Sequence, residues 1–251
     1  MSFTSRLLAF ASQTFPRMSS RVLASAGYTF DLDKFDPDAF RVWDDSTAAR
    51  QDRAWTPLVA QALAGHPRED IVALFDALDT TGVVDGTILE VGCGGGYNSA
   101  LIAHHVSALR YTGVDLAESM VEVSREKYPG CDFRVASALE LPFADDSIDI
   151  VVDGVALLHI LAWQRAITEY TRVASQFVVL HGLTLSDHET ATFGKYAYGQ
   201  PSRELIFNRA EVLAECTSQG LTLVASHPGD DYDLEAYLGV KTVSETWVLS
   251  V

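Results

Sequence analysis

Basic residues are scarce in this chain. Its 251 residues hold 18 lysines and arginines against 34 aspartates and glutamates, a formal net charge of -16. A long polyanion needs clustered positive charge to neutralise its phosphates, so a nucleic-acid partner is not expected and a small-molecule partner is. Cysteine is scarce too. Cys93, Cys131 and Cys216 are odd in number, far apart and without metal-ligand spacing. That excludes a disulfide framework, predicts no metal site, and suggests reduced thiols in a cytoplasmic protein. No apolar run is long enough for a transmembrane segment. Residues 1–30 carry Arg6, Arg17 and Arg21 and no acid, but lack the apolar stretch of a secretory signal, so they read as a docking helix or a frayed terminus. Internal repeats and low-complexity tracts are absent.

What is present is enough apolar material for one sizeable core, at 48% hydrophobic residues. From Phe30 to Trp55 the chain is acidic, with aromatic residues interleaved. Thr56-Pro57 then reads as an N-cap followed by a first-turn proline, with Leu58, Val59, Ala62 and Leu63 on one stripe. Pro67 opens a second helix, in which Ile71, Leu74, Phe75 and Leu78 share a face. Residues 1–85 are therefore assigned to an N-terminal helical cap. Residues 86–251 alternate short apolar strands with helices: strands at 87–91, 111–114, 132–135, 148–153, 176–180, 221–225 and 246–251, and helices at 97–106, 117–128, 163–174 and from Asn208 to Gly220. Such alternation predicts an α/β fold with a mostly parallel sheet covered on both faces. Residues 184–203 have weak periodicity and read as an irregular lid or binding loop.

The strongest motif is Ile88-Leu89-Glu90-Val91-Gly92-Cys93-Gly94-Gly95-Gly96-Tyr97-Asn98, a buried strand that ends in a glycine cluster opening a helix. Glycine there lets a ligand approach the backbone, and the helix start suits an anionic group. Asp115 ends the next strand, where an acid can accept hydrogen bonds from both hydroxyls of a ribose. NAD and S-adenosylmethionine both carry that sugar. Tyr97 stands where a dinucleotide fingerprint wants glycine. Glu90, two residues before Gly92, suits a cationic ammonium and is poorly placed for phosphates. Electrostatics thus favours S-adenosylmethionine.

With these residues the chain resembles the class I S-adenosylmethionine-dependent methyltransferases of the small-molecule type. Glu90 to Gly96 is similar to their glycine motif and Asp115 to their ribose acid. Ser137-Ala138-Leu139-Glu140-Leu141-Pro142-Phe143, with Asp145-Asp146-Ser147-Ile148-Asp149, resembles the segment that closes over adenine, and Val155-Ala156-Leu157-Leu158-His159 the stretch after strand four. Ser137 departs from the aspartate frequent at that position. The resemblance implies a Rossmann-like, seven-stranded, mostly parallel sheet with an antiparallel last strand and helices on both faces. It also implies S-adenosyl-L-methionine as cofactor and a cofactor set of Glu90, Gly92, Cys93, Gly94, Gly96, Asn98, Asp115, Leu116, Ser137, Ala138, Leu139 and Asp153.

His159 is the candidate general base, because imidazole titrates near neutrality and the residue follows strand four. His181, Tyr196 and Trp43 are candidate acceptor contacts, with Tyr198 and Trp55 beside them. His104 and His105 read as surface residues, and the acidic run Asp230, Asp231, Asp233, Glu235 as a solvated loop. The expected activity is methyl transfer to an oxygen or nitrogen of a small molecule, in a monomer or homodimer. An NAD-dependent oxidoreductase and a non-catalytic S-adenosylmethionine-binding protein are the alternatives.

Overall fold

The computed structural model describes residues 27–34, 45–197 and 200–251. In chain order the elements are α1 (Asp45–Leu63), α2 (Glu69–Thr81), β1 (Gly86–Val91), α3 (Tyr97–His105), β2 (Leu109–Asp115), α4 (Glu118–Lys127), β3 (Asp132–Val135), β4 (Ile148–Asp153), α5 (Trp163–Val173), β5 (Ala174–Ser186), β6 (Ala191–Ala197), β7 (Gln200–Asn208), α6 (Arg209–Ser218), β8 (Thr222–Pro228), α7 (Glu235–Leu238) and β9 (Val243–Ser250).

The central strands are apolar on both faces, and that is why they lie inside. Ile88, Leu89, Ile150, Val151, Val152, Val178 and Val179 are fully buried. Strands β3, β2, β1, β4 and β5 lie in that order and pair in parallel. β9 pairs antiparallel with β5, and β8 antiparallel with β9. Alternation along each strand splits the core in two. Leu89, Val151 and Val178 meet Trp163, Ile167 and Tyr170 of α5 on one face. Ile88, Ile150, Val152 and Val179 meet Leu74 and Leu78 of α2 and Ile102 of α3 on the other. The fold is therefore the Rossmann-like α/β arrangement that the resemblance implies, with an antiparallel last strand.

Two strands are added to it. The segment expected to be an irregular loop is instead the antiparallel hairpin β6–β7, with Phe193 opposite Glu204 and Tyr196 opposite Pro201. Its residues do not alternate cleanly because the Lys195–Glu204 ion pair shares a face with the apolar Phe193 and Ile206, so that face is neither uniformly polar nor uniformly apolar. β9 occupies one edge of β5 up to Leu185, so β7 pairs at Leu185 and Ser186 on the other edge, beyond the end of β4. The hairpin thus stands over the carboxyl end of β4. Tyr28 stacks on Phe193 and Tyr237, and Thr29 exchanges backbone hydrogen bonds of 3.0 and 2.8 Å with Gly194, which ties residues 27–30 to β6.

Near the amino terminus Thr56-Pro57 does not start a helix; α1 runs through both. Proline removes one helical hydrogen bond, but Pro57 is solvent-exposed, so water can serve the released carbonyl. Val59 and Ala62 of α1 pack on Ile71 of α2 and on Tyr97 and Leu101 of α3. Asn208 caps α6 as expected, its Oδ1 accepting from Glu211 N at 3.0 Å. His105 is not a bare surface residue: its ring stacks on Phe75 at 4.3 Å and bonds Asp79 at 2.8 Å. Residues 1–26 and Trp43, for which a docking helix or frayed end and an acceptor contact are expected, lie outside the described residues. Among the described residues no helix is long and apolar enough to cross a membrane.

Candidate active site

The carboxyl ends of β1, β2 and β4 open on one cavity of about 960 Å³. The turn after β1 forms its floor. Gly92 has φ 76 and Gly94 φ 52, backbone that strongly favours glycine. The two serve different ends. A Cβ on Gly92 would run into Ala156 of the turn after β4, so that glycine lets two turns touch. At Gly94 a Cβ would stand 3.2 Å from Gln51 Oε1, inside the cavity. Gly96, expected to border a ligand, instead presents its bare side to Phe133 and Ser124, at 2.8 and 2.9 Å from a hypothetical Cβ. Most of the turn's N–H groups are already used. Gly92 and Cys93 donate to Val114 O at 2.7 and 3.0 Å, Gly96 to Cys93 O at 2.9 Å, and Gly94 to Asp115 Oδ2 at 2.9 Å.

Asp115 is therefore in direct contact with the glycine turn. Its other oxygen accepts from Ala117 N at 2.9 Å. A carboxylate has about four acceptor positions, so lone pairs remain for a ligand. Burial raises its pKa, against the pull of these N–H groups. Glu90 lies deeper and is 1% exposed. It accepts from Asn98 Nδ2 at 2.7 Å and from the Tyr111 hydroxyl. A Cβ on Gly154 would stand 2.5 Å from Glu90 Oε1 and 2.9 Å from Gly92 O, so glycine at 154 lets the turn after β4 pack directly on Glu90 and the glycine turn. Burial pushes the Glu90 pKa up to about 7, and the charges of Asp115 and Asp153 add to the rise. This cluster of acids has no buried cation to offset it in the contacts that shift Glu90.

Leu116, Ala138 and Leu139 border the cavity beside Asp115, and Leu116 is 73% exposed despite being apolar. Ser137 borders it too, with its hydroxyl accepting from Leu139 N at 3.1 Å. Asp153 does not reach the cavity surface. Its carboxylate is consumed by Leu157 N at 3.0 Å, Ala156 N at 3.2 Å and the Tyr170 hydroxyl at 3.0 Å. It shapes the turn that carries His159, and burial pushes its pKa up to about 7.

The far half of the cavity is polar. His159 Nδ1 lies 2.9 Å from Arg203 O of β7. A carbonyl only accepts, so Nδ1 carries the proton and Nε2 holds the basic lone pair of the neutral ring. Burial lowers the His159 pKa, while nearby Glu204 opposes that fall. The hairpin adds Lys195, paired with buried Glu204 at 2.7 Å; Tyr232 donates to the same carboxylate at 2.9 Å. His181 and Tyr196 also border the cavity, as does the Arg68–Asp70 ion pair.

The structure thus brings Glu90, Gly92, Cys93, Gly94, Asn98, Asp115, Leu116 and Ser137 to Leu139 to one cavity with His159, His181 and Tyr196, and leaves Gly96 and Asp153 behind its wall. It adds Gln51, Gly154, Lys195 and Glu204. Nothing in the sequence singles out Gln51, a glutamine in a helix remote in sequence. Gly154 directly after a strand was a visible signal. Among the described residues no group of His, Cys, Asp and Glu could hold a metal ion.

Whether these residues suit S-adenosylmethionine is answered by two features. Gln51 Oε1 is buried with no hydrogen-bond partner and sits against the space Gly94 leaves open. An acceptor in want of a donor there, with the Glu90 acid cluster beneath, fits an ammonium-bearing cation. The turn's spent N–H groups leave little to hold a pyrophosphate.

A family model described as "Methyltransferase domain" matches residues 89–177. A "Probable S-adenosylmethionine-dependent methyltransferase" of Mycolicibacterium smegmatis is 38% identical over 86 residues, 34% of this chain and 33% of that protein. The "Ubiquinone/menaquinone biosynthesis C-methyltransferase UbiE" of Campylobacter jejuni is 26% identical over 114 residues, 43% of this chain and 48% of that one. The chain thus spans about a third to a half of the length of these curated relatives. A chain of the complex between the Haloferax volcanii Trm112 methyltransferase activator and a methyltransferase aligns with a TM-score of 0.57 at 18% identity, covering 82% of this chain and 96% of that chain. The [4+2]-cyclase SpnF aligns with a TM-score of 0.56 at 15% identity, covering 82% and 95%. These two likenesses concern the fold alone. The matched residues 89–177 run from the glycine turn through Asp115 and the segment 137–143 to β5, the same stretch that builds the half of the cavity around the glycine turn, and over that stretch the chain is similar to S-adenosylmethionine-dependent methyltransferases.

Proposed function

We propose that this protein transfers a methyl group from S-adenosylmethionine to an oxygen or nitrogen of a small-molecule acceptor. The supporting observation is the single cavity that runs from Glu90 and Gly94, past Asp115 and Leu116, to His159 and His181. The cofactor, when bound, supplies a methyl group on a cationic sulfur that is itself a good leaving group. The chain's residues then have chiefly to position the acceptor, exclude water and move one proton. Asp115 takes the ribose hydroxyls. Leu116, Ala138 and Leu139 flank the adenine, with the Ser137 hydroxyl at its edge. Glu90, Asn98 and Gln51 hold the ammonium end. His159 Nε2 accepts the acceptor's proton, while Arg203 O fixes the ring. Residues 1–85 act as a cap on a methyltransferase domain of residues 86–251, and Tyr196 of the hairpin closes the acceptor side. The acidic net charge suits a small acceptor rather than a nucleic acid.

Incubation with methyl-labelled cofactor and a panel of hydroxylated and amine compounds is expected to yield labelled product. Mass spectrometry then separates O- and N-methyl products from a C-methyl product, the outcome the Campylobacter relative's name raises. Binding of S-adenosylhomocysteine with no labelled product would support a non-catalytic binder. A larger thermal shift with NAD would support the oxidoreductase. His159→Ala is expected to lower turnover by about a hundredfold or more, the usual scale of general-base loss, with little change in cofactor affinity. An equal loss in both would make His159 a binding residue. Gln51→Leu is expected to weaken S-adenosylhomocysteine about tenfold in calorimetry, the worth of one hydrogen bond to a charged group. Unchanged affinity would remove Gln51 from the site.

A further inference from the structure

β5 and β9 run antiparallel with Leu180 opposite Trp247 and Leu183 opposite Glu245. Two residues of β5, His181 and Gly182, therefore face the single residue Thr246. This is a β-bulge. Gly182 has φ 69, and a Cβ there would press on Val155 at 3.2 Å, so the bulge is built for glycine. Bulges re-aim side chains next to active sites. Leu180 and Leu183 on either side stay in the core, whereas His181 borders the cavity and yet is only 4% exposed.

Thr246 determines which ring nitrogen carries the proton. Its side chain is fully buried, and Oγ1 lies 2.8 Å from His181 Nδ1. The same oxygen accepts from Gly182 N at 3.4 Å. A buried hydroxyl has one proton to donate, and the imidazole is the acceptor within reach. Were Nδ1 to carry the proton, the Thr246 hydroxyl would point a buried donor at nothing, at a cost of about 1–3 kcal/mol. The Thr246 O–H therefore donates to Nδ1, and Nε2, on the far side of the ring, bears the hydrogen. Burial pushes the His181 pKa down to about 4, which keeps the ring neutral. Of the charged groups near it, Asp70 already accepts from Arg68 Nε at 2.7 Å and Ile71 N at 2.9 Å.

We propose that His181 is a fixed hydrogen-bond donor in the acceptor chamber, its Nε2–H reading an uncharged carbonyl-class oxygen carried by the acceptor beside the atom to be methylated. The inference rests on the methyl-transfer reading of the cavity. An ammonium group at this position would meet N–H with N–H. Asp230 also borders the cavity, so an amine is the competing occupant and gives the opposite result below.

Two measurements on the full chain test it. In protein labelled with isotopic nitrogen at histidine, the imidazole spectrum is expected to show His181 as the Nε2–H tautomer near neutral pH, and Thr246→Val to abolish that preference. An Nδ1–H tautomer in the unmutated protein overturns the proposal. In protein saturated with S-adenosylhomocysteine, 3-hydroxyacetophenone is expected to bind about tenfold more tightly than 3-(aminomethyl)phenol, one hydrogen bond's worth of discrimination. His181→Phe should erase the difference, and His181→Gln, which keeps an N–H donor, should restore part of it. Equal or tighter binding of the amine, or saturation by neither compound, overturns the assigned acceptor class. Failure of the unmutated protein to bind S-adenosylhomocysteine would instead sink the methyl-transfer reading, and the tautomer result would stand apart from it.

Discussion

Asp115→Ala is expected to weaken S-adenosylhomocysteine binding by about 1–3 kcal/mol, up to roughly a hundredfold in Kd, from the loss of charge-assisted hydrogen bonds. The loss has two sources. The carboxylate would grip the ribose, and it also braces the cradle by accepting from Gly94 N and Ala117 N at 2.9 Å each. Removing it leaves both donors without their partner, so the melting temperature of the ligand-free protein should fall as well. Asp115→Asn separates the contributions. Its amide oxygen can keep one backbone bond, but its NH₂ edge cannot accept from a hydroxyl. The asparagine variant should therefore recover part of the melting temperature and little of the affinity. Calorimetry showing unchanged affinity for Asp115→Ala would reject the ribose role outright.

The second large effect is on pH. The ligand-free protein is expected to lose stability as pH rises from about 4 to about 7. Glu90 and Asp153 have ordinary values of 4.5 and 3.8, and burial pushes both to about 7 in the folded chain. Within that window the folded state holds protons that the unfolded state has released, and rising pH then favours unfolding. Below the ordinary values both states are protonated and the penalty vanishes; above about 7 it is fully present. Its size is on the order of a few kcal/mol for each group, and the mutual repulsion of the two acids means the two do not simply add. Glu90→Gln should flatten much of the slope and raise the melting temperature at neutral pH, while weakening the cofactor. A cationic ammonium beside Glu90 favours its ionised form. S-adenosylhomocysteine binding below about pH 7 should therefore release a proton, seen as a calorimetric enthalpy that varies with the ionisation heat of the buffer. A flat stability profile together with buffer-independent enthalpy would show that Glu90 is already ionised in the empty site.

The two effects share a design. Glu90, Asp115 and Asp153 end adjacent parallel strands, so the sheet itself collects their charge. The fold tolerates this because each acid has backbone or side-chain donors, and because a cation-binding site gains from uncompensated negative charge. The cyclase that shares this architecture shows that the frame alone does not choose a reaction. In the proposed reaction the chemistry falls to the polar half of the cavity, where His159 comes from the turn after β4, His181 from β5, and the Lys195–Glu204 pair from β6 and β7.

Much of this was open to reading in the linear chain. Strands and helices that obey a strong local rule appear close to where the pattern places them: β3 and β4 agree to the residue, and α3 and α5 to within one. Thr56-Pro57 misled because the signal for a helix start is also tolerated on an exposed helix face. The hairpin misled because the Lys195–Glu204 pair stands on the same face as Phe193 and Ile206, which blurs the two-residue period that marks a strand. Gly96 and Asp153 stand in motif positions, yet their surroundings are protein: Phe133 and Ser124 for one, Tyr170 and the 156–157 backbone for the other. A motif records which residue type is needed, and a glycine needed for packing looks the same as a glycine needed by a ligand.

By itself the sequence determined the parallel α/β core, the glycine turn and the acid that follows it, because each rests on neighbours within a few residues: apolar runs, left-handed glycines, a carboxylate ending a strand. Only the tertiary structure decided that Gln51 faces Gly94, that Gly154 packs on Glu90, that β6 and β7 stand over the cavity, and that Thr246 sets the proton on His181. Gln51 and Gly94, Glu90 and Gly154, and His181 and Thr246 are tens of residues apart in the chain, and the hairpin's place depends on β7 pairing with the end of β5. These distances follow from how helices and strands pack, which no local pattern encodes.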